Sequence, residues 1–296
     1  MSDETPFGNS PPRVALIGGA GRMGRMFRPL FEADGCAVLI ADEAAGHESP
    51  EAVVPRADVV LVTVPIRETV PLIRRIAPLL RADQLLTDFT SIKTEPVKEM
   101  LETPAAVIGC HPIFGPMANP AGQNVAMCPA RPGRFLPWYR AFFERHGMSV
   151  VLLTPEAHDQ AMAFIQGLTH FINIAFATTL RETGADLESL LQVCSPVYRV
   201  FFAVLSRILS GDPQLYGQIQ LDNPANTEVV RAFLDNGAAL LSLVENQDAR
   251  GFDELFREAA DYLGDYKYVA RQDSEFLIEQ MRRYLLQRDP PTPEDT

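Results

Sequence analysis

The sequence predicts an α/β domain built on a mostly parallel sheet, followed by an all-α domain. Three observations predict it. Short apolar runs alternate with helical patterns through the first half. Strand signals stop near Leu153–Pro155, and long helical stretches take over. A glycine-rich turn stands between the first strand and the first helix.

The strands are expected at 13–17, 38–41, 59–64, 84–87 and 106–109, each a short apolar run. Strands apolar on both faces and alternating with helices imply a parallel sheet covered on both sides. The intervening helices are expected at 22–33, 66–80 and 95–101. In the first of these, Met23, Met26, Phe27, Leu30 and Phe31 share one face. Pro71 is expected in the first turn of the second and Pro78 near its end. Runs at 124–127 and 149–153, flanking a helix at 135–146, extend the sheet. The later helices are expected at 156–183, 186–210, 228–247, 252–263 and 272–288, bounded by Asp186, Gly211-Asp212-Pro213, Asn223-Pro224 and Gly251. The expected organisation is an unstructured 1–12, a nucleotide-binding domain at 13–154, a helical domain at 155–288 and an unstructured 289–296.

Composition narrows the function. The chain has 296 residues, 47% of them hydrophobic, and a formal charge of −12. An acidic chain repels nucleic-acid phosphates and anionic lipid, so neither is an expected partner. The four cysteines form no CxxC pair, which fits reduced thiols and a cytoplasmic protein. The first 12 residues lack the pattern of a signal peptide. The stretch 161–180 is long and apolar, but Gln166, Thr169, His170, Asn173, Thr178 and Thr179 interrupt it. It is expected to be buried within protein rather than to span a membrane.

The turn is Gly19-Ala20-Gly21-Arg22-Met23-Gly24, and Asp42 closes the second strand 21 residues after Gly21. That context makes it a Rossmann dinucleotide turn. Gly19 permits the tight turn, Gly21 admits a pyrophosphate close to the backbone, and Gly24 lets helix and strand pack. The helix N-terminus offers N–H groups and about half a positive charge. Asp42 accepts from ribose hydroxyls and repels a 2′-phosphate, so NAD is the expected cofactor. Arg22 is placed over the adenine or against a phosphate. Val64, at the end of the third strand, and Pro65 after it complete the cofactor set.

Strand ends in such a sheet point into the ligand crevice. One carries Asp88-Phe89-Thr90-Ser91-Ile92-Lys93, another Gly109-Cys110-His111-Pro112. His111 is expected in a loop held by prolines, as a neutral imidazole able to accept a proton. In the helical half, Arg199 and Arg207 lie inside apolar stretches, eight residues and about 80° apart. Both can face one pocket, and the planar guanidinium fits a carboxylate. An ion pair to an internal acid is the competing expectation. His158 stands at a helix start, where Asp159 simply suits the dipole, and His170 is a candidate pocket residue.

These blocks together resemble the prephenate dehydrogenase family. They include the glycine turn, Asp88 to Lys93, His111-Pro112-Ile113-Phe114-Gly115-Pro116 and His158-Asp159-Gln160-Ala161-Met162-Ala163-Phe164-Ile165-Gln166. Ser195-Pro196-Val197-Tyr198-Arg199, Asp212-Pro213-Gln214-Leu215-Tyr216 and Gly264-Asp265-Tyr266 follow in order. The chain is most similar to the dehydrogenase portion of the bifunctional chorismate mutase–prephenate dehydrogenase, with no mutase segment expected. The resemblance implies oxidation of prephenate at C4 with loss of the ring carboxylate as carbon dioxide. It implies that His111 takes the proton of the C4 hydroxyl and that Ser91 orients His111 or that hydroxyl. Arg207 would bind a substrate carboxylate, with Arg199 and Lys93 supporting it, while Gln166 and His170 line the pocket. It also implies a homodimer through the helical domain.

A related branch oxidises 4-amino-4-deoxyprephenate, and arogenate is a further alternative. A β-hydroxyacid dehydrogenase centres on a helical-domain lysine, yet residues 156–266 contain none. A non-catalytic nucleotide-binding regulator is the remaining alternative, against which His111 and the arginines argue.

Overall fold

A computed structural model describes residues 6–8, 11–44 and 46–287. The expected unstructured tail at 289–296 lies outside them, as does much of 1–12. Pro6–Gly8, however, form a turn, and Phe7 packs edge-on against Trp138 at 4.9 Å. That contact removes apolar surface from water, so residues 6–8 are a packed element.

The sheet has seven strands in the order β2-β1-β3-β4-β5-β6-β7. β1 (Arg13–Ile17), β2 (Ala37–Ala41), β3 (Val59–Val62), β4 (Leu85–Asp88) and β5 (Ala106–Pro112) run parallel. β6 (Asn124–Arg131) is antiparallel to β5, and β7 (Ser149–Leu152) parallel to β6. α1 (Arg22–Ala33), α2 (Pro50–Val53), α3 (Ile66–Ile76), α4 (Thr94–Leu101) and α5 (Leu136–Arg145) form the crossovers and connections. Every residue of β3, β4 and β5 is buried, as expected for strands covered on both faces. On one face Phe27, Phe31, Tyr139, Phe142 and Phe143 make an aromatic layer, with Phe31 stacked on Phe142 at 4.1 Å. On the other, Leu72, Ile73 and Ile76 of α3 and Val97 and Met100 of α4 pack against the strands.

Several boundaries differ from expectation. Pro71 lies inside α3 (Ile66–Ile76), past its first turn. Pro78 falls in a following 3-10 turn, Ala77–Leu79. The helix expected at 156–183 divides into α6 (Pro155–Met162), a π turn (Ala163–Leu168) and α7 (Thr169–Glu182). The one expected at 186–210 divides into α8 (Leu187–Val193) and α9 (Pro196–Leu209), since Ser195 is extended and Pro196 suits a first helical position. A further helix, α10 (Pro213–Asp222), stands where the sequence reads only as a breaker. α11 (Asn226–Glu245), α12 (Ala249–Leu263) and α13 (Tyr266–Gln287) complete the chain.

The chain forms two compact units, 1–166 with 217–226, and 167–216 with 227–296. The first therefore takes in α6 and much of α10, elements that sequence alone assigns to the helical domain. Asn223 explains this, because its Nδ2 donates to the Asp159 carbonyl at 2.8 Å. Arg67 and Asp222 add an ion pair at 2.9 Å.

Pro155–Glu182 is long and apolar enough to cross a membrane, by length and composition. The sequence predicts burial within protein, yet only 22% of its most apolar window is buried in one chain. Phe164, Ile165 and Ile174 are exposed.

Candidate active site

The first strand ends at Ile17, and the chain turns through Gly18 at φ +82 and Gly19 into α1. The glycines are required by close packing. A Cβ on Gly24 would stand 2.5 Å from the Gly19 Cα, and one on Gly19 would stand 2.9 Å from the Leu16 carbonyl oxygen. Gly21 caps α1, no side chain caps it, and its first turn holds no acid. The first amides of a helix lack intrahelical partners, so this N-terminus is an uncompensated anion site. Asp42 closes the turn from the β2 side. One of its oxygens accepts from the Ala20 amide and the other from the Ala44 amide, both at 3.0 Å. Val64 flanks the turn, its Cγ1 3.0 Å from the position of a Gly18 Cβ, whereas Pro65 and Arg22 are exposed and Met23 packs partly into the core. Uncapped amides, bare glycines and an acid at the second strand fit a dinucleotide. Gly24→Ala is expected to weaken NAD binding at least about fivefold, because overpacking of this kind costs about 1–3 kcal/mol. Fluorescence titration with NADH checks this.

His111 lies at the carboxyl end of the same sheet. It is not in a loop, as the sequence predicts, but in β5, paired opposite Ala126 and 3% exposed. Pro112 ends the strand, where the missing N–H costs little. Its partner is His158. Thr154 caps α6 by accepting from the Ala157 amide at 3.1 Å, which sets the first turn inward. His158 and Asp159 are consequently buried. The His111 Nδ1 lies 2.9 Å from His158 Nε2, and the His158 Nδ1 lies 2.8 Å from Asp159 Oδ1. Gln166 Nε2 stands 3.4 Å from the remaining ring nitrogen, His111 Nε2.

This order fixes the tautomers. Asp159 is an acceptor, so His158 Nδ1 carries hydrogen and donates to it. His158 Nε2 then accepts, so His111 Nδ1 donates, and His111 Nε2 keeps its lone pair. Burial, then the neighbouring His158 and Lys93, hold the His111 pKa well below the usual 6.5. Burial likewise lowers His158. Asp159 also accepts from the backbone amides of Lys93 and Thr94, at 2.8 and 2.9 Å. Burial alone would raise Asp159, but the bonds from His158, Thr94 and Lys93 outweigh it and hold the carboxyl below its usual value. Asp159 thus caps α4 from a distant segment, which corrects the expectation that it only suits its own helix dipole.

Two further expectations need correction. Lys93 does not face an anionic ligand: it is fully buried, paired with Asp88, and donates to the Cys110 carbonyl at 2.8 Å. It ties the end of β4 to β5, immediately before His111. Ser91 does not orient His111, whose ring nitrogens are met by His158 and Gln166. Ser91 is half-buried after β4, which leaves the substrate hydroxyl as its expected contact.

The second unit carries Arg199 and Arg207 on α9, the first half-buried and the second exposed. Among the described residues neither forms an ion pair, so the competing expectation of an internal acid is not met. His170 on α7 stands edge-on to Tyr216 at 5.0 Å, and its Nδ1 is buried without a partner. Three residues on, Asn173 leaves its Nδ2 equally unpartnered. Sequence reasoning missed Asn173, as it missed the role of His158 and Asp159. The signal for the latter was a His-Asp pair in the first turn of an apolar helix.

A dinucleotide turn and a buried histidine at the carboxyl ends of one mostly parallel sheet define the class, a Rossmann-type nucleotide-dependent oxidoreductase. Comparison with known proteins gives the family. Residues 34–128 match the prephenate dehydrogenase nucleotide-binding domain, and residues 154–258 match the prephenate dehydrogenase dimerization domain. The T-protein of Haemophilus influenzae is 33% identical over 90% of this chain and 71% of its own. The 4-amino-4-deoxyprephenate dehydrogenase of Streptomyces pristinaespiralis is 30% identical over 86% of this chain and 92% of its own. Among solved structures, A. aeolicus prephenate dehydrogenase in complex with hydroxyphenyl propionate and NAD+ shares the fold. Its TM-score is 0.70 at 21% identity, covering 86% of this chain and 97% of that one. The chain belongs to the prephenate dehydrogenase family.

Proposed function

We propose that the chain catalyses the NAD-dependent oxidative decarboxylation of prephenate to 4-hydroxyphenylpyruvate. The observation that carries this is the His111–His158–Asp159 chain, which leaves one buried lone pair at His111 Nε2. Gly19, Ala20, Gly21, Arg22, Met23, Gly24, Asp42, Val64 and Pro65 would hold NAD, which when bound supplies the acceptor for the C4 hydride. His111 Nε2 takes the proton of the C4 hydroxyl as the C4–H bond breaks. The imidazolium formed is stabilised through His158 by the Asp159 carboxylate. Loss of the ring carboxylate then leaves its bonding pair to the aromatic ring, and His111 returns the proton to the phenolic oxygen. Ser91 orients the hydroxyl. Arg207 and Arg199, cations without acid partners among the described residues, serve the substrate carboxylates, with Gln166 and His170 as polar lining. Lys93 acts here only as a structural support.

The oxidation needs a neutral His111, and its lowered pKa keeps the imidazole neutral to lower pH than an ordinary histidine. Steady-state NADH formation from prephenate is therefore expected to show an acid limb of kcat/KM below pH ~6.5. A limb at or above that value would remove His111 as the base.

A second reading is the same oxidation of 4-amino-4-deoxyprephenate. The Streptomyces relative favours it, being matched over 92% of its length. We further infer a homodimer in the cytoplasm. The exposed apolar residues of Pro155–Glu182 and α9, among them Ile174, Phe201 and Val204, belong to the matched dimerization domain, so a second copy rather than lipid is their cover.

A further inference from the structure

We propose that Gln166 contacts the atom attached to the substrate's reacting carbon, offering its Nε2 to a hydroxyl oxygen and its Oε1 to an amine hydrogen. The inference rests on the reading of His111 given above.

Gln166 lies in the π turn between α6 and α7, a widened turn of a kind common at functional sites. Its two amide atoms are in unequal situations. Nε2 stands 3.4 Å from His111 Nε2, while Oε1 is buried and meets no hydrogen-bond donor. The histidine tautomers leave His111 Nε2 an acceptor, so the amide nitrogen is the end that can face it. A buried acceptor left unmet calls for a donor from outside the chain.

The two substrate types supply different hydrogens at this point. A C4 hydroxyl has one, which His111 Nε2 takes. Its oxygen can then accept from Gln166 Nε2, and Oε1 gains nothing. A C4 amine has at least two hydrogens. One goes to His111 Nε2, and a second can go to Gln166 Oε1, meeting the unpartnered acceptor. A carboxamide serves either substrate by presenting a different end. A carboxylate at this position can only accept, and its charge attracts an ammonium group. A thioether does neither.

The test is NADH formation by the wild type, Gln166→Glu and Gln166→Met, with prephenate and 4-amino-4-deoxyprephenate offered separately. In Gln166→Glu the ratio of kcat/KM for the amine to that for the hydroxyl is expected to rise at least about tenfold, the effect of roughly one hydrogen bond. In Gln166→Met both values should fall about tenfold, with the ratio within a few-fold of wild type. NADH affinity should stay unchanged in both variants, which shows that each still folds. A ratio in Gln166→Glu within about threefold of wild type, with NADH still bound, would overturn the inference while leaving the proposed function standing. A wild type that oxidises neither compound would overturn both.

Discussion

Replacing His111 by asparagine is expected to cut turnover by about 10²–10⁴ while leaving NAD affinity intact, the range for losing a general base. Asparagine fits the buried strand position and can still donate to His158 Nε2, but it offers no basic nitrogen to a substrate. The buried surroundings sharpen the loss. His111 is 3% exposed, so bulk water cannot easily substitute for the missing base. Steady-state kinetics on saturating NAD, with NADH binding measured alongside, checks the prediction. A kcat within about tenfold of wild type would move the proton to another group.

The second large effect is on stability. Lys93→Met is expected to destabilise the fold by about 3–5 kcal/mol, because it strands a charged Asp88 in the interior. Both side chains are fully buried. One Asp88 oxygen pairs with Lys93 and accepts from the Thr90 amide at 3.0 Å, while the other has no partner. Asp88 therefore has little else to stabilise it. The double change Asp88→Asn with Lys93→Met removes both charges and should cost clearly less than the two single changes added together. Urea denaturation of the four proteins at one protein concentration measures this coupling. Additive costs would mean the pair is not an interacting unit.

Much of this was legible because it is local. The glycine turn, its strand, its helix and Asp42 lie within a short stretch, and backbone sterics dictate the residue types. The apolar strands were legible for the same reason, since burial on both faces favours apolar residues along most of each strand. His111 was legible as a residue at a strand end, yet Pro112 misled about the loop. A proline reads as a strand breaker, but at the last position of β5 its missing N–H is not needed. What failed to show was non-local. His158 meets His111 from 47 residues away, and Asp159 caps a helix 65 residues earlier. No periodicity reports such pairings. Lys93 illustrates the same gap, since sequence gives a charge but not its partner. Its nearness to a predicted site suggested a ligand, whereas the fold turns it onto Asp88. The helical unit was legible in its helices and less so in its breaks, because a π turn leaves the hydrophobic pattern almost unchanged.

The proposed function couples oxidation at C4, with His111 as base, to loss of the ring carboxylate. The most direct measurement follows carbon dioxide and NADH together from the purified chain with prephenate and NAD. Equal amounts of both are expected, with 4-hydroxyphenylpyruvate as the remaining product. NADH without carbon dioxide, or neither from prephenate under conditions where NADH binds, would contradict it.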